Sequence, residues 1–404
     1  MDVVYLVSSA RVGGTEASVV EMVGSLREAH PDWSVHAVVP QEGPLVGRLE
    51  HCGARVEVLP FPPALARLGE AGRGRSVWGR VRLAIDILGA GPAALGYVRR
   101  LARAIAGPGE PVSVVHAHGF KMIVLAARAA PRRAVLVWHL HDYLSPRPVS
   151  AWLVRHFADR CDVAIANSES VAADVRRVCG PGLRVHTIHN AVDLTRFSPE
   201  GPRVDLDALA AAPPAPSRTI RVGLLGTFGR WKGHRVFLRA LAMLPPELGV
   251  RGYIIGAAEY QTAGSQESEA ALRRAVDDLG LSRSVYFTGA IAEPATALRS
   301  LDIVAHTSTE PEPFGMVIAE AMACGRAVVA GRAGGAAELF VDGVDALGHA
   351  PGDASDLASR LALLAGDPAL RERLGRAARQ TAERRFDRAR LAGQLAPLYG
   401  IRPA

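Results

Sequence analysis

Residues 302–330 read DIVAHTSTEPEPFGMVIAEAMACGRAVVA. Asp302 to His306 is a short apolar run of strand character. The segment from Glu312 to Gly315 reads as a turn into a helix, which closes on the small residues Ala321 to Gly325. Ala327 to Ala330 is a second apolar run. Such a strand–helix–strand unit sets Glu312 and Glu320 beyond the carboxyl end of its first strand, where open parallel sheets bind their ligands. A helix starting near Phe314 would aim its first amides at the same spot and could hold a phosphate. Glu312, just outside that helix, can accept hydrogen bonds from hydroxyls. Glu320, about two turns in, can reach a second polyol such as a ribose. Paired carboxylates also suit glycosidic bond cleavage.

The same alternation runs outward in both directions. Strand-like runs occur at Val3–Val7, Ser34–Val39, Arg55–Leu59, Val112–His116, Val135–His139, Val163–Ala166 and Arg184–Ile188. A second series follows at Ile220–Leu225, Arg251–Ile255, Ser284–Thr288, Ile303–His306, Ala327–Ala330 and Ala346–Gly348. Helical patterns such as Val236–Ala242 and Glu267–Leu279 intervene. The expected class is α/β, with parallel sheets covered by helices. Between the series, residues 198–217 carry Pro199, Pro202, Pro213, Pro214 and Pro216 and read as a Pro/Ala-rich linker. The expected domains are therefore 1–197 and 218–386, both Rossmann-like. A last helix over about 387–404 is expected to pack back on the first domain.

Composition narrows the function. A chain of 404 residues suggests two or three domains and a core that needs no disulfides. Cys52, Cys161, Cys179 and Cys324 are scattered, with no CxxC or HExxH spacing, so neither a metal nor a disulfide framework is expected. The compartment implied is reducing and cytoplasmic. The N-terminus reads as a strand rather than a signal peptide. No apolar run reaches the roughly 18 residues of a membrane span. The formal charge is +7, and the only lysines are Lys121 and Lys232. A basic surface attracts phosphates or anionic lipid. No nucleic-acid-binding signature accompanies it. The Arg-rich segment 73–103 would place Val77, Trp78, Val81, Ile85 and Leu88 on one helical face, flanked by Arg80 and Arg82. That layout suits either packing on the first sheet or a peripheral position on an anionic membrane.

Several strand ends carry candidate chemistry. Gly13-Gly14-Thr15-Glu16 follows the first strand and opens a helix, as a ligand-approaching loop or a tight turn. His116-Ala117-His118 ends the fourth strand, where His118 could bond a sugar or phosphate, move a proton, or be satisfied by backbone. His139-Leu140-His141-Asp142 ends the next, as an acceptor-facing group or a structural cluster. Gly226 to Gly233 contains Arg230 and Lys232 between glycines, which suits a diphosphate, but it is not a Walker A loop. Gly334-Gly335 with Glu338 forms another strand-end turn.

Taken together, these segments resemble the family-4 retaining glycosyltransferases of GT-B fold. The likeness rests on Gly13-Gly14-Thr15-Glu16, on Val114 to His118, and on Ile188 to Asp193 with Arg196-Phe197. Trp231-Lys232-Gly233, Glu312-x7-Glu320 with Phe314-Gly315, and Gly334-Gly335 with Glu338 complete it. It implies a nucleotide-diphosphate sugar bound between two Rossmann-like domains, with no cofactor and no metal. Arg230 and Lys232 would bind the diphosphate, and Glu320 the ribose. Phe314, Gly315, Met316 and Val317 would face phosphate and sugar, and Glu312 would orient the sugar ring. Gly14 and His118 would complete the site from the N-terminal half. The acceptor implied is a glycan, a lipid-linked molecule or a small molecule. One departure stands out: such proteins usually carry the diphosphate arginine where this chain has Thr227. A nucleotide-sugar epimerase of related fold and a catalytically silent sugar-nucleotide-binding subunit are the alternatives.

Overall fold

The computed structural model describes residues 1–67, 77–107, 111–258 and 265–401, with backbone alone at 67 and 77–90. The chain falls into two compact units. One is Met1–Ala191 together with Arg388–Ala404; the other is Val192–Asp387.

The first unit is a seven-stranded sheet: β1 (Asp2–Leu6), β2 (Ser34–Val39), β3 (Arg55–Val58), β4 (Val114–His118), β5 (Val135–Leu140), β6 (Val163–Ala166) and β7 (Val185–Thr187). Its order is β3-β2-β1-β4-β5-β6-β7, and every pair is parallel. Both faces are covered, which is why the strands read as continuous apolar runs. Val3, Tyr5, Val114, Val137 and Ile165 pack on one face with Val19 and Val23 of the helix Gly14–Ala29. Val4, Leu6, Val115, Leu136 and Trp138 pack on the other with Met122 and Ile123 of the helix Phe120–Ala129. The final helix, Arg390–Tyr399, adds Leu391, Leu395 and Tyr399 to the first of these faces.

The second unit holds β8 (Ile220–Leu225), β9 (Val250–Ile255), β10 (Val285–Gly289), β11 (Ile303–His306), β12 (Ala327–Gly331) and β13 (Leu347–His349). Their order is β10-β9-β8-β11-β12-β13, again all parallel. In each sheet the order reverses beside its first strand, at β1/β4 and at β8/β11. Crevices for ligands form at such reversals, beyond the carboxyl ends of the strands.

Three expectations need correcting in detail. The boundary between units lies at Ala191/Val192 rather than after Phe197. Residues 198–217 belong to the second unit and contain the short helix Leu206–Leu209. The Asp207 carboxylate accepts from Arg251 Nη1 at 2.6 Å, Tyr253 Oη at 2.6 Å and Ala215 N at 3.0 Å. Proline content signals a stiff backbone, and here that backbone is packed. Third, β4 runs on through His118 rather than ending at His116.

Of the basic segment, residues 77–103 lie in a helix, Val77–Ala106; residues 73–76 lie outside the described residues. The C-terminal part of that helix places Tyr97, Leu101 and Ile105 in the core of the first unit. The backbone of Val77, Trp78, Arg80, Val81, Arg82, Ile85 and Leu88 is helical, and the face made by their side chains lies outside what is described. Among the described residues no helix is long and apolar enough to cross a membrane.

Candidate active site

The second unit gathers its polar groups at the β8/β11 reversal. The loop after β8 ends in a 3-10 turn, Arg230–Lys232, and the left-handed Gly233 (φ 74°). A Cβ on Gly233 would lie 1.9 Å from the Thr307 carbonyl oxygen. Thr307 Oγ1 donates to the Lys232 carbonyl at 2.7 Å, and Thr309 N donates to the Trp231 carbonyl at 2.8 Å. The lysine loop is thus laced to the end of β11. Gly233→Ala should cost more than about 2 kcal/mol through strain and overlap. An unchanged urea midpoint in this unit would show that the lacing is dispensable.

Lys232 and Glu312 are brought together, although 80 positions separate them. Lys232 Nζ donates to both oxygens of Glu312, at 2.9 and 3.1 Å. Ser308 Oγ donates to Oε2 at 2.6 Å, and His306 Nε2 lies 3.5 Å from the same oxygen. Burial raises the affinity of Glu312 for a proton. Lys232, His306 and Ser308 outweigh that and hold the carboxyl well below the usual carboxylate range. His306 and Ser308 carry no motif signal; strand-end position alone could have flagged them. The Glu312 backbone pairs with Gly334, so the Gly334-Gly335 turn does lie beside the glutamate loop.

The helix after Glu312 spans Met316–Ala323, with left-handed Gly315 (φ 96°) at its N-cap. It starts two positions later than the sequence suggests. Glu320 is therefore one turn in, not two. Met316 and Val317 are the first helical residues, so their amides lack intrahelical partners, while Phe314 is buried in the core below. Burial pushes the Glu320 carboxyl up to about 7, opposed by Arg196 and reinforced by Glu293. Those two form an ion pair at 2.9 Å. Arg230 is exposed, with its amide bonded to the Ser265 carbonyl at 3.0 Å. The Thr227 hydroxyl oxygen is buried without a hydrogen-bond partner.

In the first unit, exposed Gly14 opens its helix after β1, and its neighbour Gly13 donates its amide to Glu16 Oε2 at 3.2 Å. His118, the last residue of β4, is fully buried rather than open at the edge. Its Nδ1 pairs with His141 Nε2 at 3.0 Å, and its Nε2 has no protein partner. His116, His118 and His139 are all driven well below the usual imidazole range by burial and by one another, and burial takes His141 to about 3. All four are neutral at pH 7. The sequence places these histidines at the ends of successive strands, and their direct contacts depend on β4 and β5 being neighbours. The signal for the grouping is the repeated His-x-His on strands that turn out to be neighbours.

Two parallel α/β units, each with polar groups at its strand-order reversal, define the GT-B class of sugar-transfer folds. Comparison with known proteins gives the same class. "Glycosyltransferase Family 4" matches residues 12–196 and "Glycosyl transferases group 1" matches 207–381. The chain belongs to the group 1, family 4 glycosyltransferases. It is 33% identical over 230 residues to D-inositol 3-phosphate glycosyltransferase of Mycobacterium tuberculosis. That match covers 55% of this chain and 46% of the relative, so it spans about half the length of the curated relatives. The Anabaena HepE protein, solved in complex with UDP, has a TM-score of 0.76 and 27% identity, covering 98% of this chain and 99% of that one. Its complex with UDP-glucose gives a TM-score of 0.75 and 26% identity, covering 98% of both chains. Trehalose-6-phosphate synthase OtsA, at 13% identity and a TM-score of 0.74 over all of both chains, shares the fold.

Proposed function

We propose that the protein is a retaining glycosyltransferase that moves a sugar from a nucleotide-diphosphate donor to a glycan, lipid-linked or small-molecule acceptor. The observation that carries this reading is the Lys232–Glu312 pair at the β8/β11 reversal, beside the first amides of Met316–Ala323. Lys232 and these amides offer positive charge where a departing diphosphate gathers negative charge. Arg230, on the same turn, adds a second cation. Glu312 stays ionised and is fixed by Lys232 and Ser308, so it can hold sugar hydroxyls in one orientation. The bond from the anomeric carbon to the diphosphate breaks, and the acceptor oxygen bonds that carbon on the same face. The acceptor proton passes to the leaving phosphate oxygen. His118 would offer Nε2 to the sugar, and Gly14 would let backbone approach it.

The first donor to test is a uridine diphosphate sugar, given the UDP and UDP-glucose complexes of HepE. Thermal-shift screening of nucleotide sugars should single out one donor, since a ligand stabilises by mass action. That donor should release nucleotide diphosphate only with acceptor present, and the product should keep the anomeric configuration. Inversion would overturn the stereochemical part. Interconversion of epimeric donors without acceptor would overturn transfer itself.

Glu320 gives a pH test. Its raised pKa means the free protein holds it largely protonated below about 7. Ribose hydroxyls are best accepted by the ionised form. Donor affinity should therefore rise with pH through this range and level off above it. Glu320→Gln should abolish the pH slope. Titration calorimetry of a nucleotide sugar from pH 6 to pH 8.5 reads the effect, and a retained slope would remove Glu320 from the ribose.

A further inference from the structure

A cleft of about 610 Å³ opens at the amino ends of β11 and β12, on the edge of the second sheet opposite Lys232 and Glu312. That volume lies within the roughly 300–1,000 Å³ typical of small-molecule sites. Gly325 and Arg326, which lead into β12, form one wall, and the helix Pro368–Arg385 forms another. The two walls meet directly: a Cβ on Gly375 would lie 2.4 Å from the Gly325 carbonyl oxygen. Four arginines line the cleft, Arg326, Arg371, Arg376 and Arg379. Arg376 is paired with Glu372, and Arg379 with Glu383 at 2.8 Å.

We propose that this cleft binds an oligophosphate anion through Arg326 and Arg371. Among the described residues neither guanidinium has a carboxylate within ion-pair distance. Arg326 donates through Nε to the Cys324 carbonyl at 3.0 Å and through Nη1 to the Leu301 carbonyl at 3.3 Å. Arg371 Nη1 donates to the Ala365 carbonyl at 2.9 Å and also to that of Leu364. These bonds satisfy carbonyls at helix and strand ends but neutralise no charge. Nη2 of Arg326, and Nε and Nη2 of Arg371, have no hydrogen bond among the described residues. Nearby Arg299 likewise gives its guanidinium to the carbonyls of Arg196, Ser198 and Pro202. Burial holds the Arg326 guanidinium below its ordinary value. Arg203 and Arg299 push it the same way, and Cys324 and Asp302 oppose them. Glu200 and Asp302 are the remaining carboxylates of the lining, and Asp302 is engaged by Arg221 N at 2.7 Å.

Two oxygens of one phosphate match the fork of a guanidinium, and such charge-assisted bonds are about twice as strong as neutral ones. Arg326 and Arg371 come from different walls, so an anion with two or more phosphates can meet both. It also brings several negative charges to cations that the fold leaves without counter-ions. The cleft is built from the second unit alone and shares no residue with the Lys232–Glu312 pair. It therefore stands independently of the donor assignment.

The test is calorimetric titration of the full-length protein with inorganic triphosphate. Lys232→Ala removes the cation of the other anion site, and this variant should still bind one equivalent per chain. Adding Arg371→Gln or Arg326→Gln to it should weaken that binding by at least about 10-fold. Circular dichroism and melting curves report whether each variant is folded. Triphosphate must also shift the Nε–H resonances of Arg326 and Arg371 in the wild type, a readout that needs no variant. Phosphoinositide vesicles that displace triphosphate would place the phosphate on a lipid headgroup; vesicles without effect would place it on a soluble anion. No binding to Lys232→Ala, unshifted resonances, equal affinity for sulfate, or undiminished affinity in a folded arginine variant would overturn the site. Each of these results would leave the donor assignment untouched.

Discussion

Replacing Lys232 with alanine is expected to lower kcat/KM for sugar transfer by about 100- to 1,000-fold, the usual cost of removing one preorganised charge donor from a transition state. Two losses combine. The departing diphosphate loses a cation, and Glu312 loses the partner bonded to both of its oxygens. Without that cation, burial is opposed only by His306 and Ser308, and the Glu312 carboxyl moves up from its depressed position. The residual activity should therefore fall off at higher pH than in the wild type as acid is added. Lys232→Arg keeps the charge but not the compact ammonium, and should recover only part of the rate. Steady-state kinetics with the donor found by thermal shift decides the matter. An alanine variant within threefold of wild type would remove Lys232 from the reaction. A wild-type acid limb in that variant would separate Lys232 from Glu312.

The largest effect on stability is expected at Asp207. Its side chain is 7% exposed and is bonded to Arg251 and Tyr253. Asp207→Ala leaves the Arg251 guanidinium buried without its counter-ion, a change that typically costs about 3–5 kcal/mol. In a unit of this size that lowers the melting temperature by on the order of 10 °C. Burial opposes ionisation of Asp207, but its bonds to Tyr253 and Arg251 hold the carboxyl below the ordinary aspartate range. A depressed carboxylate stabilises above its unfolded pKa, and the contribution is lost as pH falls through the folded value. The wild type should thus lose this contribution below about pH 4, and Asp207→Ala should show a flatter acid limb. Calorimetric scans from pH 3 to pH 7 check both points. Parallel acid limbs in the two proteins would mean that Asp207 is not ionised in the fold.

The strand series was readable because strands buried on both faces are apolar throughout. Ile220–Leu225, Ile303–His306 and Val163–Ala166 fall where their composition places them. Their ends also located Gly14, His118, Lys232 and Glu312 at carboxyl edges. Pairing was not readable. The contact of Lys232 with Glu312 depends on β8 and β11 being neighbours, which neither segment states. The histidine group needed the β4–β5 register in the same way. Residues 198–217 misled because proline marks irregular backbone whether packed or loose, and the decisive bonds come from Arg251 and Tyr253. The helix from Met316 began late because left-handed Gly315 sets its start, and glycine composition alone does not fix φ.

The chain leaves the first unit after Ala191 and returns at Arg388. At that neck Val192 pairs with Asp387, and Val192 N donates to the Phe386 carbonyl at 2.7 Å. Met1 and the helix Arg390–Tyr399 both belong to the first unit. A pulling force applied at Met1 and at the C-terminal helix is therefore carried by β1 and the packing of Leu391, Leu395 and Tyr399. The second unit is spared tension until the first has opened, and a force-extension trace should show two ruptures in that fixed order.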